Sequence, residues 1–557
     1  MQIQNKRLMR NTIHTAKFFY LLTAFLLLGS SLIKAQTTSY YFYVQFADKN
    51  HSPYSLSNPS AYLSARSIAR RTAFNVTCDS TDLPVNPTYL QQIQNLGIPL
   101  HTHSKWMNGA TVLLTDSSLM SQVRALPFVK FVQYTGKLTG AVLSPALKVK
   151  SQVNLDYGTA ATQINQLNGA NLHNEGYRGK GIQIGVLDAG FANVDVNPCF
   201  DSLRLQGRLL GTKDIINPNS NIYTENSHGA LVLSTMAGNL PGQFLGTAPD
   251  ASFWLIRTEY DPTEYKVETD FWCSGIEFAD SVGVDVITSS LGYTIFDDPS
   301  MNFSYADMNG KVSRASRAAN LASKKGMVVV VSAGNEGNGS WHYIGSPADA
   351  DGIVTVGSVT STGASSSFSS FGPSYDDRVK PEVCAMGSNS AVISIVGAQI
   401  TDSGTSFATP ITAGLIACLL QKYKATNQAP QVATLINSVF KSGSIYANPT
   451  AQMGYGIPDF SIAEQNLPVI DSLQKIEKSN FLIGTNSAFH TINIRFIDGI
   501  IPPNSSIKIY SVIGTLIINQ PITDSSTVLQ TDNFPAGIYA VCISENGKIQ
   551  TKKVLIR

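Results

Sequence analysis

Five apolar runs rich in β-branched residues set the strongest limit on what this chain can fold into. They are IQIGVLDAG (182–190), SFWLIRT (252–258), VDVITSSLG (284–292), MVVVVSAGN (327–335) and IVTVGSV (353–359), with helical patterns between them. Strands that are apolar on both faces must be covered on both faces. Alternation with helices therefore predicts an α/β segment, about 150–466, built on a parallel sheet with helices on both sides. Chemistry in such sheets sits at the carboxyl ends of the strands. The first four runs end there in small or polar residues.

The flanking segments read differently. Residues 36–145 interleave strand patterns, YYFYVQF (40–46), GATVLLT (109–115) and FVKFVQY (128–134), with helical ones, SAYLSARSIARR (60–71), NPTYLQQIQNLG (86–97) and a stretch near 117–126. That order predicts a small α+β domain. Residues 470–557 hold short alternating runs separated by Asn, Pro, Gly and Ser, including TINIRFID (491–498), SIKIYSVIGTLI (506–517), STVLQTDNF (526–534), GIYAVCISENG (537–547) and KIQTKKVLIR (548–557). These predict a β-sandwich. At the start, Lys6, Arg7, Arg10 and Lys17 precede the apolar run 18–35, which ends in small residues. The run reads as a signal peptide, residues 1–35, cleaved after Ala35, in preference to a membrane anchor. The mature chain is expected to carry no transmembrane helix.

Composition excludes several classes of function. Of the 557 residues 43% are hydrophobic and 14% charged, with a net charge of +2, which supports large cores and gives no basic excess for nucleic acid. The six cysteines form no CxxC pair and the eight histidines no HExxH spacing, so neither a zinc ribbon, a redox pair nor a zinc-protease helix is indicated. The cysteines read as buried thiols or as disulfides with no assignable pairing.

Three positions carry candidate chemistry. Asp188 ends an apolar strand pattern, where a carboxylate is costly unless something specific hydrogen-bonds it. His228 opens the helical pattern of NSHGALVLSTMAG (226–238), and Ser406 stands in GTSFATP (404–410) at the start of another. Alone they read as a turn aspartate, a structural histidine and a helix cap. Ser406 at a helix start can also place an oxyanion against free backbone N–H groups. Pro410 is expected in the first turn of that helix, where proline is tolerated.

Taken in order, Asp, His and Ser follow the sequence order of subtilisin. Residues of about 150–465 resemble a subtilisin-like serine protease (subtilase) in VLDAG, HGALVLSTMAG and GTSFATP, and also in GTAPDASFWLIR, SSLGY, VSAGNEG and SSFGPSYDDRVKPEV. The resemblance implies Ser406 as nucleophile, His228 as general base and Asp188 as the group orienting the imidazole. It implies Asn335 as a side-chain oxyanion donor. It also implies that Ser290, Leu291, Gly292, Ser332, Ala333 and Gly334 pair with an extended polypeptide substrate. The α+β domain resembles an inhibitory propeptide, cut somewhere near 140–156. The last segment resembles the type IX secretion sorting domain of Bacteroidetes. Together they imply a zymogen exported through the periplasm and across the outer membrane, to be secreted or held at the surface, with its own propeptide and the secretion machinery as partners.

Departures from the family pattern temper the detail. Ala189 follows the aspartate where Thr or Ser is usual, and Leu231 stands where many relatives carry a second histidine. The loop GNLPGQFLG (238–246) lacks a clear oxygen-ligand pattern, so no metal ligand is assigned. No cofactor is required for the chemistry, and structural calcium is compatible but not assignable. Residues 293–315 are expected to form a solvated loop near the cleft, with Asp297, Asp298 and Asp307 as candidate ion ligands, and Trp341 and His342 are candidates for the specificity-pocket wall. The alternatives are a catalytically silent adhesin on the same scaffold and a glycan-binding or glycosidase protein; the latter lacks suitably paired carboxylates.

Overall fold

The computed structural model describes residues 38–138, 156–426, 430–467, 470–475, 481–486, 490–496, 500–512, 514–545 and 548–556. The leader expected at 1–35, and all but the last residue of the 140–156 stretch expected to be cut, lie outside them.

Seven parallel strands form the central sheet. Their order is Val383–Met386, Val354–Val359, Val328–Ser332, Val286–Ser289, Gln183–Asp188, Ser252–Arg257 and Leu209–Asp214. The run of valines shows why both faces had to be apolar. Val328 and Val330 join the core shared with the helices His228–Ala237 and Thr405–Thr426, while Val329 and Val331 join the core under Val267–Val282 and Arg314–Lys324. The five central strands are those expected; the two edge strands are additional. Leu209–Asp214 is only partly buried, and Val383–Met386 has four residues, so neither leaves a sustained apolar run.

Helix Val267–Val282 is held to the sheet by Trp272. Its ring is fully buried and its Nε1–H donates to Ser289 Oγ at 2.9 Å. Trp272→Ala should cost about 3–5 kcal/mol, the usual range for emptying a large aromatic site. The denaturation midpoint of an inactive chain measures it, and a loss below about 1 kcal/mol would contradict this packing.

The N-terminal unit is an antiparallel sheet in the order Leu100–Ser104, Gly109–Leu114, Ser39–Phe46, Val129–Leu138. Strand alternation divides its labour. Phe42, Val44 and Phe46 face its own core with Ile93 and Val123, whereas Tyr41 and Tyr43 pack into the core around helix Val267–Val282. The helix expected at 60–71 starts later, at Ala65, because the Ser64 hydroxyl caps it by accepting from the Ser67 N–H.

The described residues of 470–556 form two antiparallel four-stranded sheets around Phe481, Ile483, Ile494, Ile509 and Val541, the expected sandwich. The run 506–517 is two strands, Ser506–Ser511 and Leu516–Pro521, with Gly514 at φ +84° in the turn. Among the described residues no helix is long and apolar enough to cross a membrane, and all six cysteines are free thiols.

Residues 293–315 are not the solvated loop expected. Tyr293, Phe296, Met301, Phe303 and Met308 are buried in the core under helix Val267–Val282. Two of the acidic side chains serve the backbone: Asp298 Oδ1 accepts from the Ser300 N–H, and Asp307 Oδ2 from the Ser304 N–H.

Candidate active site

The sheet delivers the candidate residues to one edge. Asp188 is the last residue of its strand, and Ser290–Gly292 and Ala333–Asn335 follow two neighbouring strands directly. His228 and Ser406 come to the same edge on the N-termini of the two helices that cover one face.

Asp188 is fully buried. Its Oδ1 accepts from the Ala189 N–H at 2.8 Å and meets His228 Nδ1 at 2.8 Å. The bond to the carboxylate places the proton on Nδ1, which leaves Nε2 free to accept one. The His228 backbone N–H donates to Asn226 Oδ1 at 2.7 Å and fixes the first turn of the helix. Burial opposes charge on the imidazole, but the charge and hydrogen bond of Asp188 outweigh it, with Glu259 and Asp402 adding to them. The result is a His228 pKa pushed up to about 9.

Ser406 is the second residue of a 22-residue helix. Its neighbour Phe407 has its ring centroid 6.2 Å from that of His228, so the two helix starts meet. No hydrogen bond joins Ser406 Oγ to His228 among those of the described residues. Pro410 lies beyond the first turn, contrary to the sequence expectation, and cannot donate to the Ser406 carbonyl four residues back. Ser290 Oγ donates there instead, at 2.9 Å. A residue expected to bind substrate through its backbone thus also repairs the helix that carries Ser406.

Asn335 is held by its oxygen. Oδ1 accepts from the Thr405 N–H at 2.9 Å and from the Thr405 hydroxyl at 3.0 Å, which fixes the amide orientation. Nδ2 is thereby turned toward Ser406. A Cβ placed on Gly404 would stand 3.6 Å from Asn335 Nδ2, from the Ser406 backbone N and from Ser406 Cβ alike. Two donors and the candidate serine therefore surround one small space, kept open by a glycine. Thr405 was not singled out from sequence, although its place in GTSFATP was visible.

Next to that space lies a cavity of about 170 Å³, bounded by Ser290, Gly292, Thr294, Ser332, Gly334, Tyr343, Gly345 and Ser406. The backbone groups of Leu291 and Gly292 make no hydrogen bond among the described residues, while the Leu291 side chain turns into the core. Gly334 has φ +106°, and its carbonyl already accepts from the Ser370 N–H at 3.0 Å. Tyr343, not Trp341 or His342, lines the cavity. His342 stacks on Phe371 with centroids 4.2 Å apart, and Trp341 Nε1–H donates to the Ile344 carbonyl.

Three family models match the chain. One described as the subtilase family covers residues 179–457, one as a Peptidase S8 propeptide domain of Bacteroidota covers 41–152, and one as a secretion system C-terminal sorting domain covers 486–557. Serine protease AprX of Bacillus subtilis (strain 168) is 30% identical over 303 residues, covering 48% of this chain and 62% of that protein. Subtilisin NAT of Bacillus subtilis subsp. natto is 27% identical over 376 residues, covering 67% of this chain and 85% of that one. Subtilisin DY of Bacillus licheniformis is 31% identical over 267 residues, with 47% and 85% covered. The solved structure titled "Structure of Prenylagaramide maturation protease PagA" aligns over 54% of this chain and 97% of its own, with 23% identity and a TM-score of 0.43.

Proposed function

The chain belongs to the subtilase family of serine endopeptidases, and from that premise we propose that it cuts polypeptides through Ser406, His228 and Asp188 after release from a zymogen. His228 Nε2 takes the Ser406 proton as Oγ attacks the scissile carbonyl carbon. The buried Asp188 carboxylate stabilises the imidazolium that forms. The carbonyl oxygen, now negative, receives hydrogen bonds from Asn335 Nδ2 and the Ser406 N–H. Imidazolium then protonates the leaving amine. Water, deprotonated by the same ring, cleaves the acyl-enzyme. The unpaired backbone of Leu291 and Gly292 receives the substrate chain in extended form.

The observation that carries this reading is the Thr405 clamp on Asn335. A turn asparagine has no need of two donors fixing its oxygen, whereas an oxyanion donor must present its NH₂ group. Asn335→Leu should lower kcat about 10²–10³-fold with KM little changed, the loss known for such a donor in subtilisin. Hydrolysis of a chromogenic peptide by the processed chain measures it. An unchanged kcat would remove Asn335 from the mechanism.

The pH profile tests His228. The base must be neutral, so kcat/KM rises with pH through its pKa and falls about tenfold for each unit below it. Asp188 displaces the pKa upward from histidine's ordinary value near 6.5. Because the imidazole keeps 33% of its surface open, solvent screens part of that effect. The limb is expected between 6.5 and about 9. A limb centred below 6.5 would contradict the pairing.

The sorting domain supports secretion or attachment at the outer surface, reached through the periplasm. Apart from the attacking water, the proposed chemistry uses only side chains and backbone of this chain, and no metal ligand is assigned.

A further inference from the structure

Three glutamates stand beside the candidate triad without a cation. The Thr258 N–H donates to the Asp188 carbonyl at 3.0 Å, so the next side chain, Glu259, lies close to Asp188 and His228. The chain then turns round Glu268, which is buried and accepts from the Tyr260 and Tyr265 N–H groups at 2.9 and 3.4 Å. Glu264 lies on the same turn, where its carbonyl accepts from the Asp297 N–H at 2.8 Å. Glu268 thus serves the fold. Glu259 and Glu264 are half-buried, and among the described residues their carboxylates make no hydrogen bond. None of the three forms an ion pair there with a lysine or arginine. Lys266, the only such residue of 258–268, puts its Nζ 4.6 Å from the Phe303 ring centroid instead. Burial and mutual repulsion push the carboxyls of Glu259 and Glu268 well above their ordinary range. Burial and Asp297 push that of Glu264 up to about 7.

A second observation points to a ligand. Tyr293 follows the unpaired backbone of Leu291 and Gly292 and is fully buried, yet its hydroxyl has no hydrogen-bond partner among the described residues. The charges that bear most on it are those of Glu259, Glu268 and Glu264, so it faces the same carboxylates. Among the described residues no group of three His, Cys, Asp or Glu could hold a metal ion. Carboxylates set along a wall suit a cation on a long stem, an ammonium or a guanidinium. The N-terminal unit shows which part of a substrate passes this wall. A Cβ on Gly136 would stand 2.7 Å from Tyr265 Cβ, so the strand end presses on the turn. Lys137 and Leu138 line a cavity with Tyr260, Thr263 and Glu268, and Lys137 lies near Asp298. These residues come before the stretch near 140–156 that is expected to be cut. The wall therefore meets the chain on the amino side of a scissile bond, and it is separate from the cavity beside Ser406.

We propose that Glu259 and Glu264 form a cation-binding subsite, which selects polypeptides carrying a lysine or arginine two to five residues before the scissile bond. The proposal rests on the peptidase reading above. A basic side chain entering there relieves the repulsion between the two carboxylates, whereas a neutral one leaves it in place. An acidic one adds to it.

The test uses the processed protein and fluorogenic peptides with lysine, norleucine or glutamate at the second to fifth positions before the scissile bond and the first two after it. Norleucine keeps the apolar stem of lysine, so the ratio of the two kcat/KM values reads the charge. Lysine should be favoured about tenfold or more at one or two positions before the bond and at neither position after it. Glu259→Gln with Glu264→Gln should bring the ratio within about threefold of unity. A ratio cancels any general loss, including one that acts through His228. Glu264→Lys should reverse the preference, so that glutamate is used better than norleucine. Equal use of lysine and norleucine by the parent, or an unchanged ratio in the double variant, would overturn the subsite and leave the peptidase reading standing. Failure of the folded, processed chain to cut any of the peptides would overturn both.

Discussion

Ser406→Ala is expected to lower kcat for peptide hydrolysis by about 10⁶-fold, the loss known for removing a subtilisin nucleophile. The hydroxyl is the only atom that forms the acyl bond, so no neighbouring group can take its place. Asn335 Nδ2 and the Ser406 N–H survive the substitution, because both are set by Thr405 and the helix start and not by the hydroxyl. They should leave a residual rate about 10³–10⁴ above that in water, with KM within a few-fold of the parent. The same variant should also accumulate as the uncut chain. A loss smaller than about 100-fold, in a chain freed of its propeptide by another protease, would place the nucleophile elsewhere.

Asp188→Asn is expected to cost about 10⁴-fold in kcat. The carboxylate is fully buried and accepts from both Ala189 N–H and His228 Nδ1. An amide of the same shape fills the site and can keep its oxygen toward both donors, but it carries no charge to stabilise the imidazolium. Loss of the Asp188 charge also removes the largest upward push on the imidazole, so the remaining pH limb should move toward acid. A variant that lost rate without moving its pH limb would show that Asp188 only supports the fold.

Different parts of the molecule were legible in the sequence for different physical reasons. Ile184, Val186, Ile287 and Val328–Val331 announced the sheet because burial on both faces leaves no room for polar residues. The edge strand Leu209–Asp214 is wet on one side and left no such trace. Asp188, His228, Asn335 and Ser406 were legible as motifs, since each stands at the end of a strand or the start of a helix. Their mutual orientation was not, because it depends on partners distant in the chain. Thr405 fixing Asn335, and Ser290 compensating for Pro410, are contacts across 70 and 116 residues. Least visible were the ion pairs between the N-terminal unit and helix Val267–Val282. Arg66, Arg70 and Arg71 read only as basic residues of a helix, and only folding sets Arg70 and Arg71 against Asp280, 210 and 209 residues away.

The most direct test of the central claim is covalent labelling of the processed protein with a fluorophosphonate, located by peptide mass spectrometry. The reagent phosphonylates a serine only where a base has activated its hydroxyl and donors stabilise the new oxyanion. Stoichiometric label on Ser406, abolished by Ser406→Ala and strongly slowed by Asp188→Asn, is the predicted result. A folded, propeptide-free chain that takes no label at Ser406 would contradict it.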